Sequence, residues 1–198
     1  MDQRILDAET VIFDIGNVLM TFDIDYIAKR IIPERLIKLI HTPYFTKLWL
    51  QIDDGIGSIE NNAKLLCQYF ELDKEDETHF INLMLNFWEF CPPLPPSNCI
   101  KQLKSMGKKV YLLTNYGDKA FDNSKKNIPF LREVDGEVVS GKEKVSKPNK
   151  AIYNILLDRY NINKDTCIYL DDRLENIESA RELGIKSIWY PKELNNCH

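Results

Sequence analysis

Four short apolar runs along the chain predict β-strands. Each run is bracketed by polar or turn residues, and each is apolar on both faces instead of alternating with polar positions. That pattern is typical of a parallel sheet covered by helices on both sides. The runs are TVIFD (10–14), KVYLLTN (109–115), TCIYLDD (166–172) and KSIWY (186–190).

Helical patterns separate the last three runs. Ser97 is suited to cap a helix over 97–105, and Gly107 ends this helix just before the second run. Apolar spacing predicts two more helices, over 151–160 and 174–183. Because strands and helices alternate with short connections, the sequence predicts an α/β fold with a doubly wound parallel sheet.

The segment between the first two runs follows a different pattern, because it has helical periodicities and no strand-like run. It leaves through CPPLPP (91–96), whose prolines favour a stiff, extended linker. We therefore predict a core of 1–20 and 93–198 and an all-helical cap of 21–92. Two apolar stripes at helical spacing carry this prediction: Ile59, Ala63, Leu66 and Phe70, and Phe80, Leu83, Met84 and Phe87.

Composition narrows the classes of partner. The 198 residues carry a net charge of −4 and contain no basic block, which argues against nucleic acid and anionic membranes as partners. The five cysteines are odd in number and lack C-x-x-C spacing, as expected in a reducing cytosol. No apolar run resembles a signal peptide or a membrane span, so we expect a cytoplasmic location.

Polar side chains follow three of the predicted strands. Asp14 ends the first, Thr114 and Asn115 end the second, and Asp171 and Asp172 end the third of the four runs. Each taken alone is ordinary turn or cap chemistry. Ligands of parallel α/β sheets bind beyond the carboxyl ends of the strands, so these side chains are expected to meet. Carboxylates that meet repel one another unless a cation lies among them, and oxygen ligands suit Mg²⁺.

Asp171 and Asp172 cannot both point at one metal ion, because side chains alternate along a strand. We favour Asp172, since Asn176 lies four residues further and is expected over the same face once a helix begins. Asp171 would then organise the loop or a metal-bound water. A helix-capping role for Asp171 is an equal alternative.

Lys147 differs from the other lysines of the loop GKEKVSKPNK (141–150). The following Pro148 keeps it out of helical geometry just ahead of a predicted helix. A fixed ammonium beside carboxylates would balance charge and bind an anionic group.

Four segments, FDIGNVL, LLTN, KPNKAIY and YLDDRLENIESARELGI, resemble the successive motifs of the haloacid dehalogenase superfamily. That superfamily consists mostly of Mg²⁺-dependent phosphatases with a Rossmann-like core and, in this subclass, a helical cap inserted after the first strand. The first motif, DxGNV, is similar to that of bacterial α-D-glucose-1-phosphate phosphatase-like enzymes.

The resemblance implies a role for each motif residue. Asp14 would be the nucleophile that forms an aspartyl-phosphate, and the Asp14 carboxylate, the Gly16 carbonyl and Asp172 would hold Mg²⁺, with Asp171 beside them. The remaining three would bind the transferring phosphoryl group: Thr114, Asn115 and Lys147.

The first motif departs from most phosphatases of the superfamily, which carry a general acid two residues after the nucleophile. Here that position is Gly16. Three accounts are open: another acid takes its place, the leaving group is an easy one, or the protein is a weak or silent enzyme. The candidate acids are Asp23, Asp25, Asp53 and Asp54, each of which is more often a surface or capping residue.

The sequence therefore predicts a Mg²⁺-dependent phosphatase for a small phosphorylated metabolite, a sugar phosphate in the first instance, with a preference for good leaving groups. A phosphate-binding sensor without turnover and a haloacid dehalogenase are the alternatives. The aromatic residues of the predicted cap are read as its core in preference to a substrate pocket: Trp49, Phe87, Trp88 and Phe90.

Overall fold

The computed structural model describes residues 2–190, which form a five-stranded parallel sheet with helices on both faces. Its strands are β1 (Thr10–Phe13), β2 (Lys109–Thr114), β3 (Gly136–Val139), β4 (Cys167–Asp171) and β5 (Lys186–Trp189). Their order across the sheet is β3-β2-β1-β4-β5, so the first strand lies at the centre. The predicted α/β class with a doubly wound, Rossmann-like sheet is confirmed.

Eleven α-helices occur in the described residues. None of them has the length and apolar composition needed to cross a membrane. They are α1 (Gln3–Asp7), α2 (Ile24–Ile31), α3 (Glu34–Ile37), α4 (Pro43–Asp53), α5 (Ile59–Tyr69), α6 (Lys74–Asn86), α7 (Pro95–Ser105), α8 (Asp118–Asn127), α9 (Ser140–Glu143), α10 (Lys150–Tyr160) and α11 (Leu174–Glu182). Short 3₁₀ turns span Lys38–His41, Phe87–Phe90 and Pro129–Arg132.

Alternate residues of the central strands pack into two separate apolar clusters. Val11 and Phe13 of β1 join one cluster, whereas Ile12 joins the other. Helices α7 and α8 contribute to the first cluster, and α10 and α11 to the second. The inner positions of β1, β2 and β4 are apolar because both faces of the sheet are covered.

The strand register aligns the polar strand ends. Phe13 lies opposite Leu112 of β2 and Leu170 of β4. The residues that follow these three, Asp14, Leu113 and Asp171, therefore lie at one level of the sheet.

Residues 21–92 are helical, as predicted, and contain α2 to α6. Both predicted stripes face inward: Ala63 and Leu66 of α5 and Phe80 and Leu83 of α6 are fully buried. They belong to the same apolar cluster as Val11 and the other first-face residues of the sheet. The helical insert, defined as residues 21–92, is thus packed onto the sheet.

The two connections between the sheet and the helical insert run side by side. Met20 bridges Pro93 in antiparallel fashion, the N–H of Thr21 donates to the carbonyl of Pro92, and the N–H of Leu94 donates to that of Leu19. These pairs lie at the predicted boundaries. The division into 1–20, 21–92 and 93–198 stays a prediction, and 191–198, with Cys197, lies outside the described residues.

Two expectations about the second connection are wrong. Helix α7 begins at Pro95, so the linker is shorter than 91–96, and Ser97 lies inside the helix and donates its hydroxyl to the carbonyl of Leu94. Proline is well suited to the first turn of a helix, because its φ is already helical and the missing N–H has no partner there anyway.

The sequence analysis missed β3 and α8. Only Val138 and Val139 are buried in β3, so the strand presents no apolar run. Helix α8 (DKAFDNSKKN) buries Ala120, Phe121 and Ser124, and its other residues are mostly polar. Both elements are shaped by packing at the edge of the fold instead of by a strong local pattern.

Candidate active site

Three carboxylates meet at the carboxyl edge of the sheet. Asp14 follows β1, and Asp171 and Asp172 lie at the end of β4. One oxygen of each lies within 4.8 Å of the other two. Asp14 and Asp171 are buried and Asp172 is half-buried. The structure thus brings together the acids that the sequence predicts at a metal site.

The ammonium of Lys147 lies between two of these carboxylates. Its Nζ is 2.9 Å from Oδ1 of Asp14 and 2.7 Å from Oδ2 of Asp171, and it donates to the carbonyl of Leu113 at 3.0 Å. An ammonium has three hydrogens, so these three contacts engage all of them. Lys147 is a buried cation fixed beside Asp14.

Asn115 fixes the backbone of Lys147. Its Nδ2 donates to the Lys147 carbonyl at 2.9 Å, and its Oδ1 accepts from the Lys147 N–H at 2.8 Å. Both polar ends of the Asn115 side chain are thereby used to position Lys147. A contact of Asn115 with substrate stays a prediction.

Asp171 is surrounded by donors from the protein. Its Oδ1 accepts from the N–H of Arg173 at 2.8 Å and from Nδ2 of Asn176 at 3.0 Å. Its Oδ2 accepts from Lys147 and from the Tyr169 hydroxyl. Tyr169 precedes Asp171 by two residues, so both point to the face that α11 covers. The sequence analysis missed this tyrosine, although the strand alternation pointed to it.

Asp172 has different partners. Its Oδ2 accepts from Nδ2 of Asn17 at 3.0 Å. The expectation that Asn176 lies over Asp172 is wrong, because Asn176 is on the face of β4 to which Asp171 points and donates to that residue instead. Asn17 was missed; it lies in the turn after β1 with φ +55°, a conformation that asparagine tolerates better than most residues.

Burial shifts Asp14 and Asp172 toward their protonated forms. It raises the pKa of Asp14 to about 7, with Lys147 opposing the rise and both Asp171 and Asp172 adding to it. Burial also raises the pKa of Asp172. For Lys147, burial lowers the pKa, but Asp14 and Asp171 outweigh it and hold the pKa above its usual value. One ammonium does not balance three carboxylates.

The donor set fits Mg²⁺. Carboxylate and carbonyl oxygens are the ligands that this ion prefers, and a divalent charge would remove the excess negative charge of the cluster. In addition, Asn176 lines the cavity beside the carboxylates, and its buried Oδ1 has no hydrogen-bond partner among the described residues. A metal-bound water would satisfy such an atom. Asp14, the Gly16 carbonyl and Asp172 are available to hold the ion.

Thr114 and Gly16 line the same cavity. Thr114 ends β2 and is almost fully buried. A Cβ added at Gly16 would meet no atom within 4 Å. A Cβ would therefore fit at residue 16, so close packing against the backbone does not explain the glycine.

The cavity over these groups measures about 190 Å³. Away from the carboxylates its lining is largely apolar and comes in good part from the helical insert. Of the four aromatic residues expected in the cap core, Trp49 and Phe87 pack in the core cluster and also line the cavity. The apolar and aromatic lining residues are Ile15, Met20, Phe22, Trp49, Leu50, Phe87, Cys91 and Tyr116.

The family assignment rests on a sequence match over most of the chain. A sequence model of the haloacid dehalogenase-like hydrolases matches residues 8–184. The chain belongs to this family. It is therefore a hydrolase, and the superfamily resemblance carried by the four motifs is confirmed.

Two proteins of Aspergillus species are similar to this chain in sequence. The sesquiterpene phosphatase astK of Aspergillus oryzae is 24% identical over 194 residues, which cover 96% of this chain and 93% of that protein. The drimenol cyclase drtB of Aspergillus calidoustus is 22% identical, and the match covers 92% of this chain but 34% of that protein.

Solved structures of the family share the fold. The enzyme BT-2542 from Bacteroides thetaiotaomicron superposes with a TM-score of 0.76 at 20% identity, covering 92% of this chain and 93% of that one. Its complex with magnesium and inorganic phosphate gives a TM-score of 0.72 at 19% identity with the same coverage.

Proposed function

We propose that this hydrolase is a Mg²⁺-dependent phosphatase that cleaves a small phosphate monoester through an aspartyl-phosphate on Asp14. One observation carries the proposal: the buried Asp14 carboxylate touches the Lys147 ammonium and lies within reach of a cation shared with Asp172. A nucleophile held between a metal ion and a lysine is suited to in-line phosphoryl transfer. The magnesium and phosphate bound by BT-2542 support the same chemistry.

Each side chain has a defined part in this reaction. An oxygen of Asp14 attacks phosphorus, and the bond from phosphorus to the leaving oxygen breaks. Lys147 keeps Asp14 in place and its positive charge stabilises the phosphoryl oxygens, and the Thr114 hydroxyl donates to one of them. Bound Mg²⁺ would supply neutralisation of the negative charge on the phosphoryl oxygens.

Asp171 is proposed to position the site. Its oxygens already accept from Lys147, Tyr169, Asn176 and the Arg173 N–H. Asp172, with fewer protein donors, is the better candidate for direct contact with the metal ion. The preference for Asp172 over Asp171 as the metal ligand, made from the sequence, is therefore retained. It rests on these contacts and no longer on the position of Asn176.

The organic group of the substrate is proposed to be apolar. Phe22, Trp49, Leu50 and Phe87 offer a wall with few partners for the hydroxyls of a sugar. The relative astK is a sesquiterpene phosphatase, which also supports an apolar group. A sugar phosphate, supported by the DxGNV resemblance to glucose-1-phosphate phosphatase-like enzymes, is the alternative.

A phosphate sensor without turnover is the second candidate function, and Gly16 favours it because the usual acid is missing. A dehalogenase is less well supported, since dehalogenation by this family needs no metal ion and the cluster of carboxylates fits one.

A panel of monoesters tests these proposals. We expect Mg²⁺-dependent phosphate release from phenyl and prenyl monophosphates, weaker release from glucose 1-phosphate, and none with Asp14→Asn. Phosphate binding without turnover of any ester would identify the sensor, and halide release without metal would identify the dehalogenase. Preferred hydrolysis of glucose 1-phosphate would establish the sugar alternative.

A further inference from the structure

The proposed reaction needs a proton donor that the first motif does not supply. When the bond to a poor leaving group breaks, its oxygen takes the electron pair and requires a proton. A donor must reach the cavity and release its proton near neutral pH. The titratable side chains lining the cavity are Asp14, Asp53, Cys91, Tyr116, Lys147, Asp172 and Arg173.

Most of these groups are unsuited to the task. Asp14, Lys147 and Asp172 are engaged with one another around the metal and phosphoryl sites. Burial raises the pKa of Cys91 to about 12 and the pKa of Tyr116 well above its usual value, so both hold their protons too tightly. The Arg173 guanidinium stays protonated at all working pH values. Asp53 is left.

Asp53 is held against the core at the last residue of α4. The backbone N–H of Gly117 and the side chain of Trp49 lie beside its carboxyl and act to lower its pKa. Its own carbonyl accepts from the hydroxyl of Ser140. Gly117 follows the β2 loop that carries Thr114, and a Cβ added at Gly117 would lie 2.4 Å from a methyl group of Ile52, so the contact between α4 and this loop is tight.

The surroundings of Asp53 favour its protonated form. Burial raises its pKa to about 7, Asp54 adds to the rise, and the Gly117 N–H and the Trp49 side chain oppose it. Asp53 also lies at the C-terminal end of α4, where the helix dipole disfavours negative charge. The titratable groups that face it are Asp54, from its own helix end, and Tyr116, from the β2 loop, and neither is a cation.

The other acids considered from the sequence have structural partners elsewhere. Asp23 caps α2 through the N–H of Tyr26, Asp25 pairs with His41, and Asp54 accepts from the Ser146 hydroxyl. None of the three lines the cavity that holds Asp14.

We propose that Asp53, contributed by the helical insert, is the general acid and base that replaces the missing acid at residue 16. The inference rests on the proposed phosphatase function. As Asp14 attacks, the leaving oxygen takes the electron pair of its bond to phosphorus and the proton of Asp53, and the alcohol departs. The Asp53 carboxylate then takes a proton from the water that attacks the aspartyl-phosphate. The bond between phosphorus and the Asp14 oxygen breaks, its electron pair returns to Asp14, and inorganic phosphate leaves.

The test compares two esters in the presence of Mg²⁺. Asp53→Asn retains an acceptor for Gly117 and Trp49 but has no acidic proton. We expect its kcat/KM for an n-alkyl phosphate to fall by about 10²- to 10³-fold, and that for p-nitrophenyl phosphate, whose leaving group needs no proton, by less than about threefold. Asp54→Asn is the matched control and is expected to behave as wild type with both esters.

Two further measurements separate acid catalysis from a structural role. Above about pH 7, kcat/KM of the wild type for the alkyl ester should fall about tenfold per pH unit. This decrease should be absent from the pH profile of Asp53→Asn. Adding Gly16→Asp, whose Cβ would meet no atom within 4 Å, to Asp53→Asn should restore hydrolysis of the alkyl ester.

Equal losses on both esters in Asp53→Asn, or no loss on the alkyl ester, would overturn the inference while leaving the phosphatase function intact. A wild-type protein that hydrolyses neither ester would overturn the proposed function and the inference with it.

Discussion

Nζ of Lys147 lies 2.9 Å from Oδ1 of Asp14, and both side chains are buried, that of the lysine being 1% exposed. The same ammonium touches Asp171, so a single cation neutralises charge at the ends of two neighbouring strands. A buried carboxylate that loses such a partner is left uncompensated, which is costly. This contact therefore bears on both the stability of the site and the reactivity of Asp14.

Replacement of Lys147 by methionine should lower kcat/KM for any accepted monoester by about 10²- to 10³-fold, because the ammonium no longer positions Asp14 or stabilises the phosphoryl group. Steady-state kinetics, with circular dichroism to confirm folding, measure the effect. The control is Lys150→Met, whose lysine is exposed and paired with Glu182. A folded Lys147→Met variant with wild-type kinetics would contradict the assigned role.

Mg²⁺ should raise the melting temperature of the protein, because it removes the repulsion among the three carboxylates. Asp172→Asn should abolish most of that rise. Asp171→Asn should instead lower the free energy of unfolding without metal by about 3 kcal/mol, because it removes a buried partner of Lys147. Thermal denaturation with and without Mg²⁺ distinguishes the two, and the reverse pattern would make Asp171 the direct ligand.

Asp53 should make the stability of the fold depend on pH. Its pKa in the folded protein is raised to about 7 from 3.8, so the folded state binds the proton more tightly than the unfolded state. The stability from this proton is complete below about pH 4 and is lost as the pH rises toward 7. The melting temperature of the wild type should thus fall more between about pH 5 and pH 8 than that of Asp53→Asn. Asp54→Asn should keep most of the wild-type fall, because burial is the larger cause of the raised pKa of Asp53, and parallel curves for all three proteins would refute the assignment.

Phe22 should contribute to the binding of an apolar substrate group. Its ring packs against Trp49 and Phe87 at centroid distances of 6.0 and 5.6 Å, and all three line the cavity. Phe22→Ala should raise KM for a prenyl or aryl phosphate by about tenfold and leave KM for methyl phosphate unchanged. Tyr69→Ala, which alters an exposed ring of the insert outside the cavity lining, serves as the control. An equal change for both esters would point to a general structural effect.

The sheet and the acidic cluster were predictable because both arise from local rules that the fold obeys. Continuous apolar runs marked β1, β2 and β4 as buried strands, and parallel pairing brought Asp14 and Asp171 to one level. Lys147 was predictable because the proline after it excludes helical geometry. These signals need no knowledge of distant packing.

The features that sequence reasoning missed depend on tertiary contacts. The partner of Asn176 is decided by which face of β4 the helix α11 covers, and residue spacing alone pointed to the wrong aspartate. The helical period placed Trp49 and Phe87 in a core but did not show that the edge of that core is also a cavity wall. Asp53 was one of four equal candidates until the packing of α4 against the β2 loop separated it from the rest.

The paired connections at Met20 and Pro93 join the helical insert to the sheet at one place. Because Trp49 and Asp53 belong to the same helix, any displacement of that helix would carry both away from Asp14 together. Admission of the ester and delivery of the proton are then tied to one motion. A partly displaced insert would bind the ester without releasing its alcohol.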